Sequence, residues 1–297
     1  MKITDNVREF LKFDLGLLNT DEFYPYLLDE SYTKDGKQTF DFYYAKKTDD
    51  IPTPLIIVVH GGGWISGHKR SKFMAPMIKP IYEGVSVAVI SYTLAMKAPH
   101  PQAILDIKTS IRYFKTHATK FGIDPNKIFL WGESAGAHLV NMVGCTLDDE
   151  TLCDRSMGCD EQNHQVAGVI SHYGMTDFLS CDQHLVDNGV AVSWAMTDED
   201  SLASWYLGQP ILKDIKKTLT AQPMSYIHER IPPFFLRHGK KDTIVPYQQT
   251  QIFAKALTEA GIDVDVDYYA EAEHTDPMFF TNDEIKKIVQ FMKRVSQ

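Results

Sequence analysis

Short apolar runs alternate along this chain with longer stretches of helical spacing, and that alternation constrains the fold more than any other feature. Residues 55–59 read Leu-Ile-Ile-Val-Val, with no polar member. A strand covered on both faces has this look. Similar runs stand at 85–91, 127–131, 166–171, 233–237 and 264–269, and 39–45 reads as a further strand. Between them, Ile104, Ile107, Ile111 and Phe114 fall on one helical stripe. Ile252, Phe253, Ala256 and Leu257 form another, and Gly261 stops it. Residues 134–144 and 282–295 read as helices too, as does 3–18 near the start. Strands separated by helices pair side by side in parallel. The expected class is therefore α/β, with a mainly parallel central sheet and helices on both faces.

Two stretches break the alternation. Residues 147–165 are polar and carry Cys153 and Cys159. Residues 178–222 are too long for a plain connection and hold Trp194, Trp205 and Tyr206. The second stretch reads as a lid or cap over the carboxyl edge of the sheet. Residues 1–297 are expected to form one domain, with 178–222 inserted in it.

Composition excludes several classes. Hydrophobic residues make up 44% and charged residues 23%, a globular balance that excludes disorder and collagen-like sequence. Thirty basic against 39 acidic residues give a net charge of −9 with no basic stripe, so a nucleic-acid partner is not expected. No run reaches the length of a membrane span, so no membrane partner is expected either. Residues 1–14 carry charges throughout and lack the apolar core of a secretory signal, so a cytoplasmic location is expected. Cys145, Cys153, Cys159 and Cys181 form no C-x-x-C pair, which argues against a zinc or redox site. Free thiols are the expectation, and a Cys153–Cys159 bridge is an option only in an exported protein.

Chemistry enters with Gly132-Glu133-Ser134-Ala135-Gly136, a G-x-S-x-G run between an expected strand and an expected helix. A strand that turns sharply into a helix strains the serine backbone and needs small neighbours. The serine hydroxyl is then held out at a helix N-terminus, where developing negative charge is favoured. A second signal, His60-Gly61-Gly62-Gly63-Trp64, directly follows the 55–59 strand. Its backbone N–H groups, with that of Ala135, suit an oxyanion hole. No Lys-Ser/Thr pair follows the glycines, which excludes a P-loop. His60 itself is expected to brace the loop.

The serine needs a base. His274 follows the last expected strand, so its loop reaches the same sheet edge as Ser134. His138, one helical turn beyond Ser134, points along the helix and is not expected to serve. Asp242 follows the 233–237 strand and gives the order Ser134, Asp242, His274. The rival acid, Asp276, lies too close to His274 in sequence. Glu133 is expected to face away from the serine.

These pieces together resemble the α/β-hydrolase superfamily. Within it the chain is most similar to carboxylesterases related to hormone-sensitive lipase, in the acetyl-esterase and feruloyl-esterase-like branch. The matching segments are His60 to Trp64, Ser91-Tyr92-Thr93-Leu94, Pro99 to Asp106 and Gly122-Ile123-Asp124-Pro125. Gly132 to Gly136, His172-Tyr173-Gly174, Asp177-Phe178 and His238 to Pro246 complete the set, in order from about residue 40 onward. Two positions depart: Ala137 and Thr93 stand where relatives often carry Gly and Arg. The resemblance implies an α/β-hydrolase fold with a cap and a serine esterase with Ser134, Asp242 and His274 as triad. It also implies Gly62, Gly63 and Ala135 as oxyanion donors.

The expected activity is hydrolysis of small or short-acyl carboxylic esters through an acyl-enzyme. No metal or organic cofactor is implied. Trp64, Trp194 and Trp205 are the expected substrate-binding residues, and a homo-oligomer stays open. Two alternatives remain. An arylformamidase-like amide hydrolase would use the same loop and triad, and the aromatic content suits it. A non-catalytic ligand-binding protein on this fold usually lacks a triad member, whereas all three candidates are present here.

Overall fold

The computed structural model describes residues 1–47, 49 and 51–296. Its eight strands form one sheet: β1 (Tyr26–Ser31), β2 (Thr39–Tyr43), β3 (Thr53–Val59), β4 (Ser86–Ile90), β5 (Ile123–Glu133), β6 (Gly168–His172), β7 (Phe234–Gly239) and β8 (Val264–Tyr269). Their spatial order is β1-β2-β4-β3-β5-β6-β7-β8. Only β2 runs against its neighbours; from β4 to β8 every pairing is parallel. The helices are α1 (Asp5–Leu11), α2 (Ala75–Ile78), α3 (Gln102–Thr116), α4 (Ala118–Phe121) and α5 (Ala135–Cys145), followed by α6 (Cys181–Asp187), α7 (Leu202–Leu207), α8 (Ile215–Leu219), α9 (Gln248–Glu259) and α10 (Asn282–Val295).

The apolar runs are buried on both faces because side chains alternate across a strand. From β3, Leu55, Ile57 and Val59 pack with α3, α5 and α9. Ile56 and Val58 of the same strand pack on the other face with Met77, Ile288 and Met292 from α2 and α10. Each such side chain removed from water contributes about 1.5–3 kcal/mol.

Several elements differ from the sequence expectation. The first helix ends at Leu11, not near residue 18. Beyond it Gly16 takes φ 55° and Leu17 bridges to Ser71, so this stretch lies along the chain that leaves the glycine loop. Strand β1 carries no strand signature in the sequence, because Asp29, at φ 58°, bulges out of it and breaks the alternation. Residues 147–165 form no regular element beyond short 3-10 turns. They are held from α3 instead. Lys108, fully buried, donates to the Thr146 and Asp149 carbonyls, and Arg112 donates to those of Asp154 and Gly158. All four cysteines are free, so no bridge joins Cys153 to Cys159. Among the described residues no helix is long and apolar enough to cross a membrane.

Buried histidines set an acid limit on stability, and His172 is one of them. His172 on β6 is fully buried, and neither ring nitrogen finds a partner among the described residues. Its ring packs among Trp131, Phe279 and Phe280. Burial, with the nearby Arg237 charge, pushes its pKa down to about 3. The unfolded chain takes up this proton near pH 6.5. Between those values the unfolded state binds more protons, so stability falls as pH drops, by about 1.4 kcal/mol per pH unit for each such group. We expect Tm to fall steadily from pH 6.5 to 4, and His172→Phe to flatten that slope. A variant slope equal to that of the parent would assign the acid sensitivity elsewhere.

Candidate active site

The turn between β5 and α5 carries strained backbone at the sheet edge. Ser134 sits there at φ 53°, ψ −120°, a region that non-glycine residues rarely occupy. Its N–H donates to the His172 carbonyl at 3.0 Å, which ties the turn to β6. Crowding explains one flanking glycine: a Cβ on Gly136 would fall on the Val59 carbonyl oxygen. That close approach brings the end of β3, and the glycine loop after it, against the turn that carries Ser134.

Three loops at the carboxyl ends of β5, β7 and β8 converge here. His274 Nε2 lies 2.9 Å from Ser134 Oγ, and His274 Nδ1 lies 2.7 Å from Asp242 Oδ2. The carboxylate is fixed from behind. Its Oδ1 accepts the N–H groups of Ile244 at 2.9 Å and Val245 at 2.8 Å. His238 Nε2 stands 3.2 Å from Oδ2 and 2.8 Å from the Val245 carbonyl, so it carries the proton. Burial alone would raise the pKa of Asp242, but the charges and hydrogen bonds of His274 and His238 outweigh it and hold it well below the usual range. Burial would lower that of His274, yet the Asp242 charge and hydrogen bond, with Glu133, leave it raised. The imidazole is thus poised to accept a proton. Asp276, the rival acid in the sequence, caps the next turn by accepting the Met278 N–H at 2.9 Å.

The glycine loop is held in an unusual backbone conformation. Gly62, Gly63 and Trp64 all take positive φ, at 106°, 57° and 62°. His60 braces it: its ring stacks on Tyr92 at 4.4 Å, and its carbonyl accepts the Tyr92 hydroxyl at 3.1 Å. Ala135 opens α5 directly beside the serine.

Glu133 was expected to face away from the serine. Its Oε1 accepts the Gly61 N–H at 2.6 Å, so the side chain lies under the glycine loop. Burial raises its pKa. The signal was present in the sequence: an acidic residue closing a buried strand must find a donor.

The tryptophans separate into two settings. Trp64 is 4% exposed; its ring stacks on Tyr206 at 5.1 Å and its Nε1 donates to His138 Nδ1 at 3.1 Å. His138 Nε2 in turn donates to the Ala221 carbonyl at 2.9 Å. This chain of contacts fastens both ends of the 206–221 stretch to α5. Trp205 on α7 is 7% exposed, so neither ring offers an open face. Trp194 is half-buried and meets Phe10 edge-to-face at 6.3 Å. Among the described residues no cluster of His, Cys, Asp and Glu is arranged to hold a metal.

Comparison with known proteins gives this site its context. The BD-FAE family model matches residues 40–257. Esterase LipQ of Mycobacterium tuberculosis is 29% identical over 241 residues, covering 73% of this chain and 54% of LipQ. The chain thus spans about half the length of the curated relatives it matches. Among solved structures, a truncated carbohydrate esterase from gut microbiota superposes with a TM-score of 0.80 at 21% identity, over 95% of this chain and 99% of that one. The esterase Est2 of Thermogutta terrifontis, solved with butyrate bound, gives 0.68 at 20% identity, over 92% and 95% of the two chains. These likenesses establish the α/β-hydrolase fold.

Proposed function

We propose, from the premise that the chain belongs to the BD-FAE family, that it is a serine carboxylesterase for short-acyl esters of small molecules. The observation that carries this reading is the continuous line of contacts from Ser134 Oγ through His274 to Asp242, at 2.9 and 2.7 Å. The names of its relatives, esterases all, point the same way.

In this mechanism His274 Nε2 takes the Ser134 proton as Oγ attacks the ester carbonyl. Asp242 stays ionised and holds the Nδ1–H tautomer. The oxyanion is received by the N–H groups of Gly62, Gly63 and Ala135, where each donor is typically worth about 3 kcal/mol. His274 then protonates the departing alcohol. A water, activated by the same imidazole, attacks the acyl-Ser134 ester and frees the acid. All the groups needed come from this chain, so the reaction calls for no cofactor.

The short-acyl preference rests on residues 178–222, which we read as a cap. Its fastening through Trp64, His138 and the Ala221 carbonyl fixes the roof of the site, and Trp194 beside it limits the space for a chain. A roof tied down in this way does not swing open on lipid. We expect p-nitrophenyl acetate and butyrate to exceed the octanoate and palmitate in kcat/KM, with no activation at an emulsion surface. Trp194→Ala should raise the octanoate-to-acetate ratio more than Trp205→Ala, whose ring is buried. A parent protein that prefers octanoate or palmitate would refute the closed-roof reading.

A further inference from the structure

The first eighteen residues lie outside the stretch matched by the family model, yet they reach the candidate site. A Cβ built on Gly63 would stand 3.0 Å from Phe10 Cζ and 2.8 Å from Leu202 Cδ1. Phe10, from α1, and Leu202, from α7, therefore lie directly on the oxyanion-loop backbone. Trp194 extends the same surface, with its ring edge-to-face on Phe10. Phe10 and Leu202, from two segments, thus meet at one glycine of the loop, and Trp194 from the cap backs Phe10.

The strap that carries Phe10 is fixed on both sides of it. Ahead of α1, the Thr4 hydroxyl donates to Asp200, next to the start of α7. Behind it, the Leu18 N–H donates to the Arg70 carbonyl at 2.9 Å and the Lys72 N–H to the Leu15 carbonyl at 3.2 Å. Val7, one helical turn before Phe10, is fully buried. Residues 70–72 are themselves anchored to the sheet, since Arg70 Nε donates to the fully buried Asp41 at 2.6 Å. A ring held this firmly cannot move aside cheaply when a substrate group arrives, which is the condition for steric selection.

We propose that this N-terminal strap is a wall of the substrate site: Phe10, with Leu202 and Trp194, closes the space beside Gly63 and limits the length of the apolar ester substituent bound there. The inference rests on the esterase reading above and adds to it the residue that sets the limit. The substituent is a short unbranched alkyl group, either the acyl chain or the alcohol carbon chain of the ester. The wall is wholly apolar, so charged or heavily hydroxylated groups gain nothing against it.

The test uses the full chain and two substrate series. One is p-nitrophenyl acetate, butyrate and octanoate; the other is ethyl, butyl and octyl acetate. Phe10→Ala should raise the ratio of kcat/KM for the eight-carbon member to the two-carbon member by about tenfold or more in one series, which also identifies the substituent. Phe10→Trp should lower the four-carbon to two-carbon ratio in that series. Phe10→Leu, which keeps most of the packing, should fall between Ala and the parent and guards against an Ala variant that fails to fold. Phe13→Ala is the control: it removes an aromatic ring of equal size from the same strap, one that is 64% exposed and stacked on Phe73. Ratios within about twofold of the parent in both series, for folded Phe10 variants, overturn the wall while leaving the esterase intact. A parent chain that hydrolyses no member of either series, and whose Ser134 is not labelled by a fluorophosphonate, overturns the esterase reading and the wall with it.

Discussion

Ser134→Ala should lower kcat/KM for p-nitrophenyl acetate by roughly 10⁴-fold or more while leaving Tm close to that of the parent. The expectation follows from what the hydroxyl touches. Its partner is His274 Nε2 at 2.9 Å, and no core contact depends on it. The strained backbone at φ 53° is retained, because Ala and Ser share the same Cβ. The residual rate would report the glycine loop acting on a water attack. Activity within a few-fold of the parent would move the nucleophile to another residue.

Asp242→Asn should cost about 10⁴-fold in kcat, whereas Asp276→Asn should leave the rate nearly unchanged. The buried Asp242 carboxylate receives Ile244 N–H, Val245 N–H, His238 and His274 together. An amide of the same shape turns an NH₂ toward one of these and favours the wrong tautomer of His274. It also removes the negative charge that outweighs burial at the imidazole. The pKa of His274 then falls, and since activity needs the neutral ring, the acid limb of the pH profile moves to lower pH. Asp276, by contrast, caps a 3-10 turn, and an Asn there can still accept the Met278 N–H, so stability should change little. Steady-state rates and pH profiles of the two variants decide the matter, and the reverse ranking would make Asp276 the acid.

Where burial dictated the residues, the sequence was easy to read. The run at 282–295 became α10 with unchanged bounds, because apolar periodicity and the Thr281 cap agree, whereas 264–269 became β8 at the expected bounds but lies half-buried or exposed rather than covered on both faces. The parallel order from β4 to β8 followed from helices placed between strands. The convergence of Ser134, Asp242 and His274 followed from each sitting just past a strand end. Strand β1 was not legible, since an edge strand with a bulge at Asp29 loses the two-residue alternation that marks a strand. The contact of Phe10 with the glycine loop was equally hidden. It joins residues far apart in sequence, through van der Waals packing that leaves no motif. The tryptophans show the opposite limit. Aromatic content suggested ligand contact for Trp64, whereas its indole N–H is satisfied by His138, a pairing that only the folded chain can reveal.

The placement of His274 has a consequence for how the protein fails. It follows β8, which closes one end of the sheet and has its middle residues exposed. Serine and carboxylate belong to the interior of the molecule, while the group joining them hangs from its margin. Fraying of that margin parts the imidazole from Asp242 while the central strands stay paired. On the triad reading proposed above, the edge would act as a fuse: activity should be lost on warming before the central strands part, and should return once β8 pairs with β7 again. On the same reading, Ser134 has no base until synthesis has passed His274.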